Sequence, residues 1–528
     1  MRPDKTTMTP PIIAYHLDLK GVQIRSNHIP QLLADLAGQG INKVLVEYED
    51  TFPFTPPVRV AWDPKTAFTT ASLTAFITEA NQCGIEIIPL QQCLGHLEYL
   101  LRWKCYAGFA QNQEYPSTLR LDKPKARAFI REMLRQVIEA HPDSRFIHLG
   151  MDEARHLNES SLVRKRGAVL PVFMEYLEEL CDWVEKFGKT PIIFTDMIEN
   201  HFQVDNPLAR FKDRIILMPW DYTARGEWMQ QGQILGPRIG RKTALEAQNG
   251  HGGMIHQDTK FVEDLPQDIR RVIKPYYRNG RFKTLWQVDY FTKLGFRVIG
   301  AAAGRVSADG AVLPSFRKRF ENIEAWSQAI HRNRQMGLCV TSWARGNSFS
   351  PPNFNIDLCW PSITSCTQLM GARPPQFWSG IPDKPLEKLL WSISQFREGS
   401  APGKPILEII RRWLPRIKTH RYEWQSLTLM VMTLELQRKC AFACEESVWF
   451  GASRRLPPLQ WQRLIQDHER CEKEIITLRR RIQTHFSKRY HGKAFQDWLC
   501  YLFGPAENRL RDSLTFCRTQ RKKSALLN

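Results

Sequence analysis

Eight short apolar or β-branched runs, most of them separated by longer amphipathic stretches, occupy the first 345 residues and constrain the fold more than any other feature. The runs are IIAYHLDL (12–19), KVLVEYE (43–49), IEIIPLQ (85–91), RFIHLG (145–150), PIIFTD (191–196), RIILMPW (214–220), RVIGAAA (297–303) and GLCVTSW (337–343). Helical periodicity lies between most of them, at 28–39, 72–83, 123–140, 171–187 and 315–335. Pro124 near the first turn of one such segment and Gly188 at the end of another suit helix termini. Strands this continuously apolar are buried on both faces, as in a parallel sheet covered by helices. Eight strand–helix units predict an α/β fold of the (β/α)8 TIM-barrel kind. An open doubly wound sheet is the competing arrangement, but no Gly-rich dinucleotide fingerprint follows the first run. Residues 221–296 are too long for a plain connection and predict extra helices.

Beyond about residue 370 the strand-like runs stop, and apolar residues recur at helical spacing in 405–445 and 458–486. The expected organisation is a catalytic barrel over 1–370 and a mostly helical, basic region over 371–528, entered through the Pro-rich 373–386 and broken near Pro457-Pro458. Of the net charge of +20, most sits in this second region: residues 401–528 hold 25 Lys and Arg against 12 Asp and Glu. A solvated cationic surface accounts for that excess. Runs such as Arg479-Arg480-Arg481 and Arg521-Lys522-Lys523 keep a nucleic-acid role open, but it is disfavoured, because zinc knuckles, a helix-turn-helix and interleaved aromatics are missing. The twelve cysteines read as reduced thiols, and neither Cys440/Cys444 nor Cys359/Cys366 has the companions of a zinc site, so no metal is expected. No stretch has the length and apolarity of a membrane helix, and Asp18 and Lys20 interrupt the only apolar run near the N-terminus. The expectation is a cytoplasmic protein with no membrane partner and no assignable oligomeric state.

In a barrel, catalytic groups gather where strands end. Strand one ends in His16 and Asp18, and strand two in Glu47, Glu49 and Asp50. Strand three leads to Gln91, His96 and Glu98, and strand four to His148, Asp152 and Glu153. Asp196 ends strand five, Trp220, Asp221 and Tyr222 follow strand six, and Trp343 and Arg345 follow strand eight. Carboxylates that accept from hydroxyls, beside indoles that stack on a sugar face, are the composition of a carbohydrate site.

The hexamer His148-Leu149-Gly150-Met151-Asp152-Glu153 resembles the H-x-G-x-D-E signature of family 20 glycoside hydrolases. LVEYEDTFPF (45–54), IIPLQQCLGHLEYLL (87–101), RFIHLGMDEARHL (145–157) and GLCVTSWARG (337–346) are similar, in order, to segments of the hexosaminidase D branch. The resemblance covers roughly residues 12–370 and implies the barrel. It also implies a retaining exo-β-N-acetylhexosaminidase needing no cofactor, acting on glycans with a terminal N-acetylgalactosamine or N-acetylglucosamine. In that family the substrate's acetamido oxygen is the nucleophile. Glu153 then matches the general acid and base, Asp152 the group that orients the acetamide N–H, and Tyr222 the partner of the acetamide oxygen. His96 matches a histidine near the acid, His148 a supporting residue within its strand, and Trp220 and Trp343 walls around the acetamido group and pyranose. Asp196 is expected to hold a hydroxyl or brace Asp152. The sequence departs from the family in two places. Met151 stands where a glycine is common. HLDLKG offers no arginine for the sugar hydroxyls, a task left to Asp18, His16 or Glu47. The competing reading is a catalytically weak carbohydrate-binding or nucleic-acid-associated protein acting through its basic helical region. The intact Asp152–Glu153 pair argues against it.

Overall fold

All eight apolar runs are strands: β1 (Ile12–Asp18), β2 (Lys43–Glu47), β3 (Glu86–Leu90), β4 (Phe146–His148), β5 (Thr190–Phe194), β6 (Ile216–Met218), β7 (Arg297–Arg305) and β8 (Gly337–Ser342). The computed structural model describes residues 10–526, apart from 21–22, 62, 203–206, 230, 234–237, 241–259, 347–349, 354–355, 373–379, 401 and 454–455. Each strand pairs in parallel with its sequence neighbours, and β1 closes on β8 with Ile12 opposite Gly337, giving a closed barrel. Helices α1 (Ile29–Gly38), α2 (Thr70–Gln82), α3 (Pro124–Ala140), α4 (Val169–Val184), α5 (Trp286–Lys293), α6 (Phe316–Arg332) and α7 (Trp360–Leu369) follow the strands. Pro124 is the first residue of α3, and Gly188 ends the turn after α4 with φ 67°, a left-handed conformation that suits glycine.

The two-residue period of a strand sorts side chains between the lumen and the helical shell. Ile12, Ala14, Leu45, Ile88, Leu90, Phe146, Ile192, Ile216, Met218, Ile299 and Cys339 fill the lumen. Ile13, Tyr15, Val44, Val46, Ile147, Ile193 and Val340 face the helices. Continuing the inward parity along β1, β2 and β4 reaches His16, Asp18, Glu47 and His148. Beyond β5, β6 and β8 it reaches Asp196, Trp220 and Trp343. The lumen is therefore apolar below and polar at the C-terminal mouth.

The inserted segment carries the extra helices expected of it and a small sheet besides. Besides the helix Gln267–Ile273 and α5, a small antiparallel sheet joins Trp228–Met229, Arg281–Lys283 and Tyr277–Arg278. It packs on an apolar cluster of its own, including Phe202, Ile273, Phe282 and Trp286.

Among the described residues, five α-helices form the C-terminal region: α8 (Asp383–Arg397), α9 (Gly403–Trp413), α10 (Arg421–Ser453), α11 (Pro458–Phe486) and α12 (Lys493–Leu526). Part of the Pro-rich entry, 373–379, lies outside the described residues. Trp424, Met430, Val431 and Trp498 belong to the same apolar cluster as the barrel's shell, and the Trp498 indole donates to the Ala311 carbonyl at 3.1 Å. Strand pairing also recurs in this region, contrary to the hydropathy pattern. Tyr490–His491, at the α11–α12 corner, pairs antiparallel with Gln23–Ile24 in the β1–α1 connection. Such a short ladder leaves no periodic signal in sequence.

Candidate active site

β4 is short, and the chain leaves it through a strained turn. Gly150, Met151 and Glu153 have φ of 66°, 76° and 44°, and His96, facing them from the β3 loop, has 52°. Non-glycine residues held in this region cost on the order of 1–3 kcal/mol each and persist only where surroundings fix them. Here the Gly150 N–H donates to His148 Nδ1 at 3.0 Å, Phe194 N–H to the Gly150 carbonyl at 3.0 Å, and Glu153 N–H to Asp196 Oδ2 at 2.9 Å. Two glycines lie against close neighbours, a side-chain amide at Gly150 and rigid backbone at Gly95. A Cβ on Gly150 would lie 1.8 Å from Gln92 Oε1, and one on Gly95 would lie 1.9 Å from the Asp152 carbonyl oxygen. Met151 is fully buried among the apolar residues outside the lumen, so the side chain at the family's glycine position serves packing.

The turn sends the Asp152 and Glu153 carboxylates to a common partner. His96 Nε2 lies 3.3 Å from Asp152 Oδ2 and 3.4 Å from Glu153 Oε2. Burial opposes charge on His96, but the Asp152 carboxylate, with Glu153, outweighs it and holds the imidazole well above its ordinary pKa. Burial likewise works against charge on Glu153, yet His96 and Arg155 together hold its carboxyl down to about 2. Arg155 Nη2 is 2.7 Å from Glu153 Oε2. Asp152 Oδ1 is buried with no hydrogen-bond partner among the described residues. Asp196 braces the backbone of Glu153, and burial reinforced by Asp152 pushes its carboxyl well up.

The opposite wall centres on Trp343. Its indole N–H donates to the Tyr222 hydroxyl at 2.9 Å, and its ring meets His16 edge-on with centroids 4.7 Å apart. Trp220 stacks on Tyr222 at 5.2 Å. Burial keeps the Tyr222 hydroxyl protonated, so an oxygen that accepts from the indole can still donate, to Thr341 beside it or to a ligand carbonyl. Below, His148 is buried against Phe194 with ring centroids 4.3 Å apart, and burial holds it down to about 3, hence neutral.

Lys20 is the residue that strand-end reasoning missed. It is buried, with Nζ 2.7 Å from Glu47 Oε2, 3.1 Å from Asp18 Oδ2 and 4.6 Å from the Trp343 ring centroid. It supplies the cation at the end of β1 where the sequence offered no arginine. Asp18 also accepts from the Ala344 N–H at 2.7 Å, and Glu47 also meets His16 at 3.2 Å and Gln92 at 3.3 Å. Burial alone would raise Glu47, but Lys20 and His16 hold its carboxyl well below the usual range. Asp18, His16 and Glu47 are thus engaged with one another through Lys20. The signal available in sequence was the HLDLKG turn itself, in which a lysine two residues past an acidic strand end can fold back (the Lys20 N–H donates to Asp18 Oδ1 at 3.0 Å).

Two groups result: His96, Asp152, Glu153 and Asp196 on one side, and Trp343, Tyr222, Trp220, Lys20, Asp18, Glu47 and His16 on the other. Among the described residues no cluster of three or more His, Cys, Asp or Glu could hold a metal, and no helix is long and apolar enough to cross a membrane.

The barrel and its paired acids define a class. Residues 18–235 match the catalytic domain of glycosyl hydrolase family 20, a stretch that contains every one of the residues just described except His16 and Trp343. Two hexosaminidase D sequences also match. The human one is 26% identical over 365 residues, covering 67% of this chain and 64% of its own length. The bovine one is 24% identical over 360 residues, covering 67% and 90%. The match thus spans just under two thirds of the human relative. The chain thus carries a stretch that matches the family 20 catalytic domain, and it resembles the hexosaminidase D branch. Among solved structures, a β-N-acetylhexosaminidase from Bacteroides fragilis aligns with 74% of this chain and 72% of its own, at 15% identity and a TM-score of 0.45.

Proposed function

We propose that the chain is a retaining exo-β-N-acetylhexosaminidase that removes terminal N-acetylgalactosamine or N-acetylglucosamine by substrate-assisted catalysis. The observation that carries this reading is the unpartnered, buried Asp152 Oδ1 on the residue next to Glu153. It is an acceptor placed to receive the acetamide N–H of a bound sugar, while the Tyr222 hydroxyl can donate to the acetamide oxygen. Held at both ends, that oxygen attacks the anomeric carbon. Glu153 delivers its proton to the departing glycosidic oxygen, and an oxazolinium forms. Glu153 then takes a proton from water as it opens the ring. Trp343 and Trp220 wall the sugar, and the Lys20–Asp18–Glu47–His16 set fixes the wall opposite the acid. No carboxylate of that wall is left to act as an enzymic nucleophile, because Asp18 and Glu47 are committed to Lys20.

The free protein holds Glu153 ionised, so it must take up a proton before it can serve as acid. Two inversions at the anomeric carbon give overall retention. Proton NMR of the first-formed sugar should show the β-anomer, and a plain β-hexoside should react slower by orders of magnitude, since a positioned internal nucleophile is worth roughly 7–11 kcal/mol. An inverted first product, or comparable rates on the two substrates, overturns the proposal.

A further inference from the structure

Beside Glu153 lies a cleft of about 230 Å³ whose walls include Arg155, Asp196, Asn200, His201 and Trp220. We propose that it is the leaving-group subsite, and that Arg155 makes it select glycans whose leaving sugar carries an anion, a uronate carboxylate or a sulfate ester. The inference rests on the hexosaminidase reading above and deepens it. The bond to be cleaved lies at Glu153, which forms part of the cleft wall, so whatever departs from the anomeric carbon enters this space. Trp220 offers an indole for a ring to lie against. Asn200 Oδ1 is buried without a partner among the described residues, an acceptor for a hydroxyl of that ring.

The charges around the cleft give it a sign. Asp196 lines the cleft as well, and burial together with Asp152 pushes its carboxyl well up, towards the neutral form. Burial lowers His201, leaving it neutral near pH 7. His96, which meets Glu153, and Asp152 beside it are not among the residues that line the cleft. Two charges remain at the cleft, Glu153 and Arg155, and they are paired with each other at 2.7 Å. Arg155 is 71% exposed, so the pair is weak and exchange of its partner is cheap. Once Glu153 takes up the proton that it must donate, Arg155 loses its counter-charge. A carboxylate or sulfate on the leaving sugar replaces it with a forked, charge-assisted contact. The same exchange frees Glu153 from one of the two groups that hold it ionised. An anionic leaving sugar thereby both binds the subsite and promotes protonation of the acid. A neutral one leaves Arg155 on Glu153.

The test compares kcat/KM on three β-N-acetylhexosaminyl disaccharides whose leaving sugars are galactose, glucuronate and 6-sulfogalactose, for the wild type, Arg155→Lys and Arg155→Met. Nitrophenyl N-acetylhexosaminides serve as the baseline. The anionic-to-neutral ratio in the wild type should be about two- to fivefold, the scale of an ion pair at an exposed arginine. It should fall towards one in Arg155→Met and be partly kept in Arg155→Lys. The glucuronate and sulfate arms distinguish the two anions. A wild-type ratio near one overturns the inference, as does a ratio that survives Arg155→Met. If the wild type fails on the nitrophenyl substrates as well, the hexosaminidase reading falls and this inference with it.

Discussion

Replacing Arg489 by leucine should weaken both the fold and the active site, although Arg489 lies in the C-terminal region. Arg489 ends the α11 corner with its guanidinium over the Tyr422 ring at 3.6 Å, 2.7 Å from Asp357 Oδ1 and hydrogen-bonded to Glu423. Tyr490 OH donates to Asp357 Oδ2 at 2.9 Å. Asp357 ends the loop that leaves β8 with Trp343 and Ala344, and the Ala344 N–H holds Asp18. On the other side Arg25 N–H donates to the Arg489 carbonyl at 2.8 Å, and Gln23–Ile24 pairs with Tyr490–His491. The corner therefore clamps the two loops that carry Lys20 and Trp343. Asp357 and Glu423 are each 1% exposed, and leucine leaves both without their cation. Breaking such a buried pair costs about 3–5 kcal/mol. Burial, opposed by Arg489 and reinforced by Glu423, already pushes Asp357 up to about 6. Without Arg489 it rises further, so the deficit should shrink as pH falls and protonation removes the stranded charge. Urea denaturation at pH 8 and pH 5 measures this. Kinetics of the folded fraction should show kcat/KM lowered by up to ~10²-fold, the scale of a 1 Å displacement of positioning groups. Tyr490→Phe is the milder variant, expected to cost about 1.5–3 kcal/mol. Trimming residues 519–528, whose described part, 519–526, is the far end of α12, is the control and should leave the kinetic constants unchanged. A deficit under 1 kcal/mol, or one equal at the two pH values, refutes the electrostatic argument. Unchanged kinetics in both point variants refute the coupling to the site.

His96→Gln should move the basic limb of the kcat/KM profile upward in pH. His96 is one of the groups holding Glu153 down at about 2, and without it burial raises the acid. A limb that stays put or moves down would remove His96 from control of the acid. Glu199→Gln should gain stability over the wild type as pH rises through neutrality. Burial pushes Glu199 up to about 7, so its folded-state pKa lies above the unfolded value. The stability it contributes is complete below the unfolded pKa and is lost as pH rises through about 7. Denaturation midpoints of the two proteins that do not diverge between pH 5.5 and 8.5 contradict this.

How far the sequence could be read depends on what kind of physics placed each residue. The barrel was legible because each strand carries its own signal: a continuous apolar run with flanking helical periodicity needs no knowledge of its neighbours. Strand-end logic reached His16, Glu47, His148, Asp196 and Trp343 for the same reason, since a two-residue period extrapolates one step past the ladder. It stops working where the chain turns back on itself. Lys20 reads as solvent-exposed by type, and only the fold shows that Asp18 and Glu47 compensate its burial. Arg155 is likewise an ordinary surface arginine until the strained φ of Glu153 aims both side chains into one cleft. The Tyr490–His491 ladder is illegible for a third reason, because pairing with Gln23–Ile24 joins segments more than 460 residues apart and too short to show a period. These are long-range, polar and non-periodic contacts, and they surround a candidate site whose proposed catalytic pair, Asp152 and Glu153, stands in one hexamer. The consequence is physical. The chemistry proposed for this site resides in a short local turn, but the positions of Lys20 and Trp343 depend on contacts spread over the whole chain. Substitutions at the C-terminal corner are therefore expected to act on catalysis through packing, not through any group that reaches the sugar.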